Sequence, residues 1–452
     1  MSVLVQITIK PAQQKDTDFI LKSSLFKAKL RSADISDWRI RKRSIDARKA
    51  SIKLNLQIEF WLLGETRTQP QSFIPQEVHS KPEIAIIGAG PAGLAVAGRM
   101  RKQGLDFEVL ESTNNIADRW HHHYDRLLLH TVKQLSHLPY LEFPEDYPIY
   151  VPRAKLVEYY ENYAKHFEIK PRFNKTVASI KLEDEGWKVV TESGKVIIAE
   201  NVIMATGINR IPHIPDFKNQ ENFQGEIIHS INYKNALPFE NKKVIVIGMG
   251  NTGAELALDL SEKNIDTTLA VRSPITIVPR DVNGRPVQLT ARALSKIPFG
   301  IGDWLGTQIR KAVIGDLTKY GVPLSKQHPV VQLRDTGKTP VIDLGTVENI
   351  KKGKIKIVGK IDRFFEKGIV FKNKKQIEYD VIILATGYRA KIEDILENGR
   401  EVLDKYNVPK QPIGVGVFKG LYFVGFDNYK LGGILGTIFT DSKIIVDDIR
   451  NK

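Results

Sequence analysis

Two glycine runs carry the chemistry that can be expected of this chain. Gly88, Gly90 and Gly93 stand in Ile84-Ala-Ile-Ile-Gly-Ala-Gly-Pro-Ala-Gly, and Gly248, Gly250 and Gly253 stand in Val244-Ile-Val-Ile-Gly-Met-Gly-Asn-Thr-Gly. At that spacing the first glycine permits a tight turn, the second lets backbone approach a pyrophosphate, and the third lets a helix lie close on a strand. Unpaired N–H groups at the helix amino terminus then face the phosphates. Pro91 suits the first turn, where its missing N–H costs nothing, and Ala92, Asn251 and Thr252 fill the adjoining positions. About twenty residues past each loop, where a second strand should end, the copies diverge: one has Phe107-Glu-Val-Leu-Glu111, the other Thr267-Thr-Leu-Ala-Val-Arg272. A carboxylate accepts from a free ribose 2′-hydroxyl and repels a 2′-phosphate, whereas a guanidinium takes that phosphate in a bidentate bond. The first loop is therefore expected to hold FAD and the second NADPH.

Each loop needs a strand before it and a helix after it, and the chain repeats one more mark. Asn201-Val-Ile-Met-Ala-Thr-Gly207 and Tyr379-Asp-Val-Ile-Ile-Leu-Ala-Thr-Gly-Tyr388 both read as a buried strand ending in a small-residue turn. The glycines let the chain pass close to a ligand or another domain, which makes Thr206, Gly207, Thr386, Gly387 and Tyr388 candidate cofactor contacts. The expectation is an α/β protein with two Rossmann-like dinucleotide-binding domains and a small amino-terminal α+β module. Its boundaries are read as a module at 1–63, a linker at 64–81, an FAD domain in two segments (82–208 and 385–452), and an inserted NADPH domain at 209–384. Trp187 to Ile197 reads as part of a β-meander, Lys133 to Pro152 as a wrapped loop, and the aromatic stripe from Leu156 to Phe167 as core packing. In Ile116-Ala-Asp-Arg-Trp-His-His-His, consecutive side chains diverge on a helix and alternate on a strand, so no metal is expected. That segment is expected over a cofactor, with Arg119 and Trp120 as contacts.

In the amino-terminal module, Val3 to Ile9 and Ser51 to Trp61 alternate like strands, and Asp16 to Leu30 has helical spacing. Between the helical part and the last strand lies the densest basic run, Trp38 to Lys49, open to two readings: a solvated face, or a surface that docks a partner or binds an anion. The net charge is +15, but lysines are scattered rather than blocked, so nucleic acid is not expected as a partner and steering of anionic ligands is. With no cysteine, the chain lacks disulfides, cysteine-ligated zinc, iron–sulfur clusters and the CxxC pair of a disulfide reductase. No run has the length of a transmembrane helix and the start lacks a signal-peptide pattern, so a cytoplasmic protein is expected. A homodimer is one assembly open to it.

Two dinucleotide sites without a dithiol leave dioxygen or an external acceptor to take the electrons. Phe223-Gln-Gly-Glu-Ile-Ile-His-Ser-Ile-Asn-Tyr-Lys234 matches the FxGxxxHxxx(Y/F)K signature of flavin-containing monooxygenases. Tyr124-Asp-Arg-Leu-Leu-Leu-His-Thr-Val-Lys, Phe143-Pro-Glu-Asp-Tyr-Pro, Val278-Pro-Arg280, Gly337 to Thr346 and Leu421 to Phe426 resemble the YUCCA-type subgroup of that class B family. The resemblance covers nearly everything from residue 82 onward. It implies an oxidoreductase that reduces FAD with NADPH, adds oxygen at the flavin C4a and oxygenates a small organic substrate. Oxidative decarboxylation of a 2-oxo acid such as indole-3-pyruvate is implied first. Oxygenation of soft nitrogen or sulfur, or electron delivery to a protein partner, stays open. Many family members carry an Asn-x-x-Lys near the flavin. Here His130 precedes Lys133 at that spacing, as in the YUCCA-type pattern, and these two are the candidate catalytic residues. His229, Tyr233 and Lys234 are expected to order the hinge and the nicotinamide side. Arg43-Ser-Ile-Asp-Ala-Arg-Lys, with its flanking strands, resembles the amino-terminal module of uncharacterised FAD-dependent dehydrogenases.

Overall fold

A computed structural model describes residues 3–14, 16–46, 53–64, 78–80, 82–294, 297, 301–325, 327–336, 339–427 and 433–451. The chain divides into two units, Met1–Pro75 and Gln76–Lys452.

In the first unit the strands Val3–Ile9, Lys53–Leu62 and Ile35–Asp46 form an antiparallel sheet in that order. The helix Thr17–Ala28 starts where the Asp16 carboxylate accepts from the Phe19 N–H at 3.0 Å and ends at left-handed Lys29. Ile7, Ile9, Ile20, Leu25, Leu56, Ile58 and Phe60 make the core. The basic run is a strand as far as Asp46. Trp38 and Ile40 pack against that core, whereas Arg39 pairs with Glu59 at 2.9 Å, so an apolar alternation lies inside a run of charges. Ala47, Arg48 and Lys49, and most of the expected linker, lie outside the described residues.

The second unit contains two parallel sheets with one plan. In the first, the order is Leu421–Phe423, Asn201–Met204, Ile84–Ile87, Glu108–Leu110. In the second it is Glu226–His229, Val381–Leu384, Lys243–Ile247, Asp266–Ala270, Ile355–Val358. Each glycine-loop strand is sandwiched between the strand that ends in Ala-Thr-Gly and the strand followed by the acid or the arginine. All four residues of Ile84–Ile87 are buried, as parallel strands covered on both faces require. Two meander sheets and a set of helices complete the α/β fold that the repeats imply.

The helix Pro91–Lys102 packs in the first sheet's core, with Gly98 the point of closest approach to the helix Arg153–His166: a Cβ there would stand 2.1 Å from the Tyr163 hydroxyl. The aromatic stripe on that second helix is core, but its hydroxyls also work. Tyr159 donates to the Leu141 carbonyl (2.6 Å) and accepts from the Leu138 N–H (2.8 Å), and Tyr163 donates to the Pro139 carbonyl (3.0 Å). They pin the wrapped loop. The helix Gly433–Arg450 lies alongside Pro91–Lys102, where Arg99 Nε donates to Ser442 Oγ at 2.9 Å. Among the described residues no helix is long and apolar enough to cross a membrane.

Candidate functional site

The two glycine loops are near-superimposable in their local geometry. Gly88 and Gly248 have φ of 110° and 108°, and a Cβ on either would stand 2.6 Å from a carbonyl oxygen, of Ala205 or of Ala385. Gly93 and Gly253 would each place a Cβ 1.9 Å from the oxygen of the loop's own first glycine. Around Gly90 and Gly250, by contrast, an added Cβ meets nothing within 4 Å. Two positions in each loop are thus closed by backbone and one is open, as a pyrophosphate lying over the helix terminus requires. Pro91 and Asn251 begin the two helices, with Ala92, Gly93, Thr252 and Gly253 in their first turns.

Glu111 is 8% exposed and reaches back to its loop: Oε2 accepts from the Ala89 N–H at 2.7 Å. Its other oxygen accepts from Ser112 Oγ (3.0 Å), the Thr113 N–H (3.0 Å) and Thr113 Oγ1 (2.9 Å). Four donors fill the lone-pair positions of a carboxylate, so a ribose hydroxyl would share or replace one of the side-chain hydroxyls. The equivalent place in the second loop holds Arg272, which is exposed just beyond Asp266–Ala270. Its charge, with that of Arg389, lies close enough to His213 to reinforce the lowering that burial imposes on that imidazole.

Left-handed Ala117 donates its N–H to the Ala89 carbonyl at 3.0 Å, docking the short helix Asp118–His122 on the first loop. Arg119 donates to the Arg210 carbonyl at 2.8 Å and lies 5.9 Å from the Tyr388 ring centre, while Trp120 packs beside Tyr160 and His123. The three histidines go separate ways. His121 approaches Glu161 and His122 approaches Asp118, each at 3.4 Å. His123 is pushed down to about 4 by burial and then by the charges of Arg119, Lys234 and Arg153.

Past each Ala-Thr-Gly the chain crosses between the sheets, and the crossings pair: Ile211–Pro212 runs antiparallel to Tyr388–Arg389. Gly207 and Gly387 have φ of 76° and 83°, which suits glycine. The residues of the family signature staple this region. His229 Nδ1 accepts from the Ile231 N–H and Nε2 donates to the Gly387 carbonyl, both at 3.2 Å, and burial keeps the ring below its ordinary pKa. Tyr233 donates to Asp259 at 2.6 Å, and Lys234 donates to the His122 carbonyl.

His130 and Lys133 are separated in role by their surroundings. The Lys133 ammonium donates to the carbonyls of Pro144 (3.3 Å), Glu145 (2.8 Å) and Tyr147 (2.6 Å). His130 lines a cavity of about 540 Å³ and its Nε2 stands 3.3 Å from Glu255 Oε1, off line for a hydrogen bond. Glu255 is 2% exposed, and the Tyr124 hydroxyl donates to its other oxygen. Burial first, and the Glu255 charge second, hold Tyr124 well above its ordinary pKa, so it remains a neutral donor. Sequence reasoning gave Glu255 no role. Its signal was an acid inside the apolar run Gly253-Ala-Glu-Leu-Ala. The cavity was missed as well: besides His130 and Tyr150 its described walls come from the helices Val287–Leu294 and Ile301–Ile314 and from residues at 278–285, 328–333 and 340–342, and although Val278-Pro-Arg280 and the run that holds Pro340 and Ile342 carry the family resemblance, nothing in them marks a cavity wall.

The residues present fit two dinucleotides. Both loops leave open the position where phosphate must approach, and Thr206 Oγ1, buried at the first crossing, has no hydrogen-bond partner among the described residues. Its counterpart Thr386 donates to the His213 carbonyl at 2.5 Å.

The family model for flavin-binding monooxygenase-like proteins matches residues 81–408, and that for a domain of unknown function, DUF8436, matches residues 1–61. The indole-3-pyruvate monooxygenase YUCCA1 of Oryza sativa subsp. japonica is 36% identical over 374 residues, 81% of this chain and 91% of that protein. The probable indole-3-pyruvate monooxygenase YUCCA3 of Arabidopsis thaliana is 35% identical over 382 residues, 81% and 86% of the two chains. Among solved structures, the flavin-containing monooxygenase from Stenotrophomonas maltophilia has a TM-score of 0.64 at 19% identity, covering 82% of this chain and 99% of that one. Cyclohexanone monooxygenase from Rhodococcus sp. Phi1 bound to NADP+ likewise has a TM-score of 0.64, at 20% identity over 82% and 85%. The shared signature, the paired loops and these matches agree: the chain belongs to the flavin-binding monooxygenase-like family, as a class B, YUCCA-like member.

Proposed function

We propose that this monooxygenase uses FAD and NADPH to oxygenate a small 2-oxo acid with loss of carbon dioxide, the substrate class named for its plant relatives. Per turnover, one 2-oxo acid, one dioxygen, one NADPH and one proton give the shortened acid, carbon dioxide, NADP+ and water. The observation that carries the reading is the cavity beside the second glycine helix. It is apolar, and its described lining holds His130, Arg280, Arg285, Arg310 and His328 but no acid. Bound FAD supplies the two-electron chemistry that links NADPH to dioxygen.

The chain's own residues bind, orient and exclude water. Gly88, Gly90 and Gly93 cradle the FAD pyrophosphate and Glu111 takes its ribose. Gly248, Gly250, Gly253 and Asn251 do the same for NADPH, with Arg272 on the 2′-phosphate. Arg119, Trp120, His229, Tyr388 and Lys234 fix the crossing between an FAD domain (82–208 and 385–452) and an inserted NADPH domain (209–384). The return of Leu421–Phe423 to the first sheet supports that division. His130 forms part of the cavity wall, and Lys133 acts through the loop it pins, so it is a positioning residue.

Product balance tests the reading. With phenylpyruvate, NADPH and air, the flavin-loaded protein should release carbon dioxide one for one with NADPH consumed and form little peroxide. Stoichiometric peroxide without carbon dioxide would sink the decarboxylating reaction. The 2′-phosphate assignment has its own check. Arg272→Glu should raise the KM for NADPH roughly 10–100-fold, the scale of a lost charge-assisted contact, and that for NADH less than about threefold. An equal rise for both removes the assignment.

A further inference from the structure

One arginine of the cavity lining is withdrawn from solvent without a partner among the described residues. Arg310, on the helix Ile301–Ile314, lines the cavity and is half-buried; its guanidinium makes no hydrogen bond or ion pair with the described residues, and its Nε is buried against protein without a partner. The other basic side chains that line the cavity are differently placed. Arg280 is held by Asp281, Nε to Oδ2 at 2.8 Å, and lies over the Tyr150 ring. Arg285 is exposed. His328 uses Nδ1 to accept from the Val330 N–H at 3.3 Å. A guanidinium stays charged at any ordinary pH, and burying a donor of a charged group without an acceptor is expensive. Burial also lowers the Arg310 pKa, with no acidic neighbour among the described residues to oppose it.

The surroundings set what could complete it. A volume of about 540 Å³ lies within the range of small-molecule sites, and the walls around Arg310 include Leu294, Ile309, Val330 and Leu333. Such a space suits a flat or branched apolar body carrying one anionic end. The cavity is also tied to the cofactor sites. Asn251, first residue of the second glycine helix, donates to the Pro340 carbonyl (3.3 Å) and accepts from the Ile342 N–H (2.7 Å), and both of those residues line the cavity. Gln288, also in the lining, accepts from the Val132 N–H at 2.8 Å, closing the helix Val287–Leu294 onto the loop that carries His130. The cavity that Arg310 lines thus also has His130 in its wall.

We propose that Arg310 is the carboxylate anchor of this cavity, taking the acid group of an apolar monocarboxylate in a bidentate bond and so selecting 2-oxo acids over neutral ketones. This deepens the function proposed above and rests on it for the reacting substrate, but the anchor can be read without turnover. The full-length protein, loaded with FAD and saturated with NADP+, is titrated calorimetrically with indole-3-propionate and with its neutral isostere indole-3-propionamide. The carboxylate should bind at least tenfold more tightly than the amide. Arg310→Gln and Arg310→Leu should each weaken the carboxylate roughly 10–100-fold and the amide less than about threefold, because only the charged contact is lost. Arg310→Lys, which keeps the charge and loses the fork, should fall between and guards against a variant that merely folds poorly. Equal binding of acid and amide by the unmodified protein, or a preference that survives Arg310→Gln, overturns the anchor. Carbon dioxide release with no dependence of binding on Arg310 removes the anchor alone. Peroxide as the only product, with an Arg310-dependent preference intact, removes the reaction and leaves the anchor.

Discussion

Gly93→Ala will yield a protein that purifies without flavin, and Gly253→Ala one that stays yellow but is not bleached by NADPH. In both loops the added methyl would stand 1.9 Å from the oxygen and 3.0 Å from the carbonyl carbon of the loop's first glycine. Nothing there can yield cheaply. Gly88 and Gly248 are themselves pressed against the Ala205 and Ala385 carbonyls and held at positive φ, so relief means displacing the turn from the helix. Overpacking of well-packed sites costs about 1–3 kcal/mol when side chains can move, and more where backbone must. A shift of even about 1 Å in the N–H groups aimed at phosphate then removes most of the binding, and affinity should fall by more than about 100-fold. Gly90→Ala is the control, since its methyl meets nothing within 4 Å. It should fold and melt like the parent and lose flavin affinity alone, by occupying the phosphate's place. The ratio of flavin to protein absorbance and the anaerobic bleaching by NADPH read all three. If Gly253→Ala loses its flavin and Gly93→Ala keeps it, the two loops have been assigned the wrong way round.

That contrast was legible in the residues because a glycine loop does its work within a dozen positions of chain. The steric reasons for Gly88 and Gly93 are local, and so is the difference between Glu111 and Arg272. Even so, Glu111 proved to hold its own loop through the Ala89 N–H as well as facing the ribose position. What the family signature holds was not legible. His229, Tyr233 and Lys234 could be marked by their spacing, but their partners Gly387, Asp259 and His122 lie 158, 26 and 112 residues away. The basic run in the amino-terminal unit hid a strand for a different reason. Trp38 and Ile40 keep a two-residue period, but a bulge between Ile40 and Lys42 breaks the pattern that alternation depends on. The cavity was least visible, since its walls are gathered from His130, Tyr150 and stretches spread from 278 to 342, and no one of them shows by itself that it faces the others.

The most telling of the hidden contacts is the buried acid Glu255, and its removal is expected to have the second largest effect. The helix Asn251–Glu262 faces the segment 124–130 with a column of acids. Glu255 meets Tyr124 and His130, Asp259 meets Tyr233 and Arg126, and Glu262 meets Arg126. Only Glu255 is nearly sealed from water, so only there does removing one partner leave others buried and unsatisfied. Glu255→Ala strands the buried Tyr124 hydroxyl and removes the carboxylate beside His130, a loss on the order of 2–3 kcal/mol for a buried group left unsatisfied. Spread over a unit of this size, that loss should lower Tm by about 3 °C. Tyr124→Phe takes away the one hydrogen bond that the buried Glu255 carboxylate has among the described residues and should cost about 2–3 kcal/mol as well. If the two side chains act as one contact, the double variant should be less destabilised than the sum by more than about 1 kcal/mol. Simple additivity would mean that Glu255 serves His130 alone. A fall in Tm below about 1 °C for Glu255→Ala would mean that the column of acids does not hold the second glycine helix against the His130 loop. The cavity would then need another reason for its shape. Because His130 lines that cavity, Glu255→Ala should also weaken indole-3-propionate binding while leaving flavin content unchanged, which separates a seam that shapes the substrate site from one that merely supports the fold.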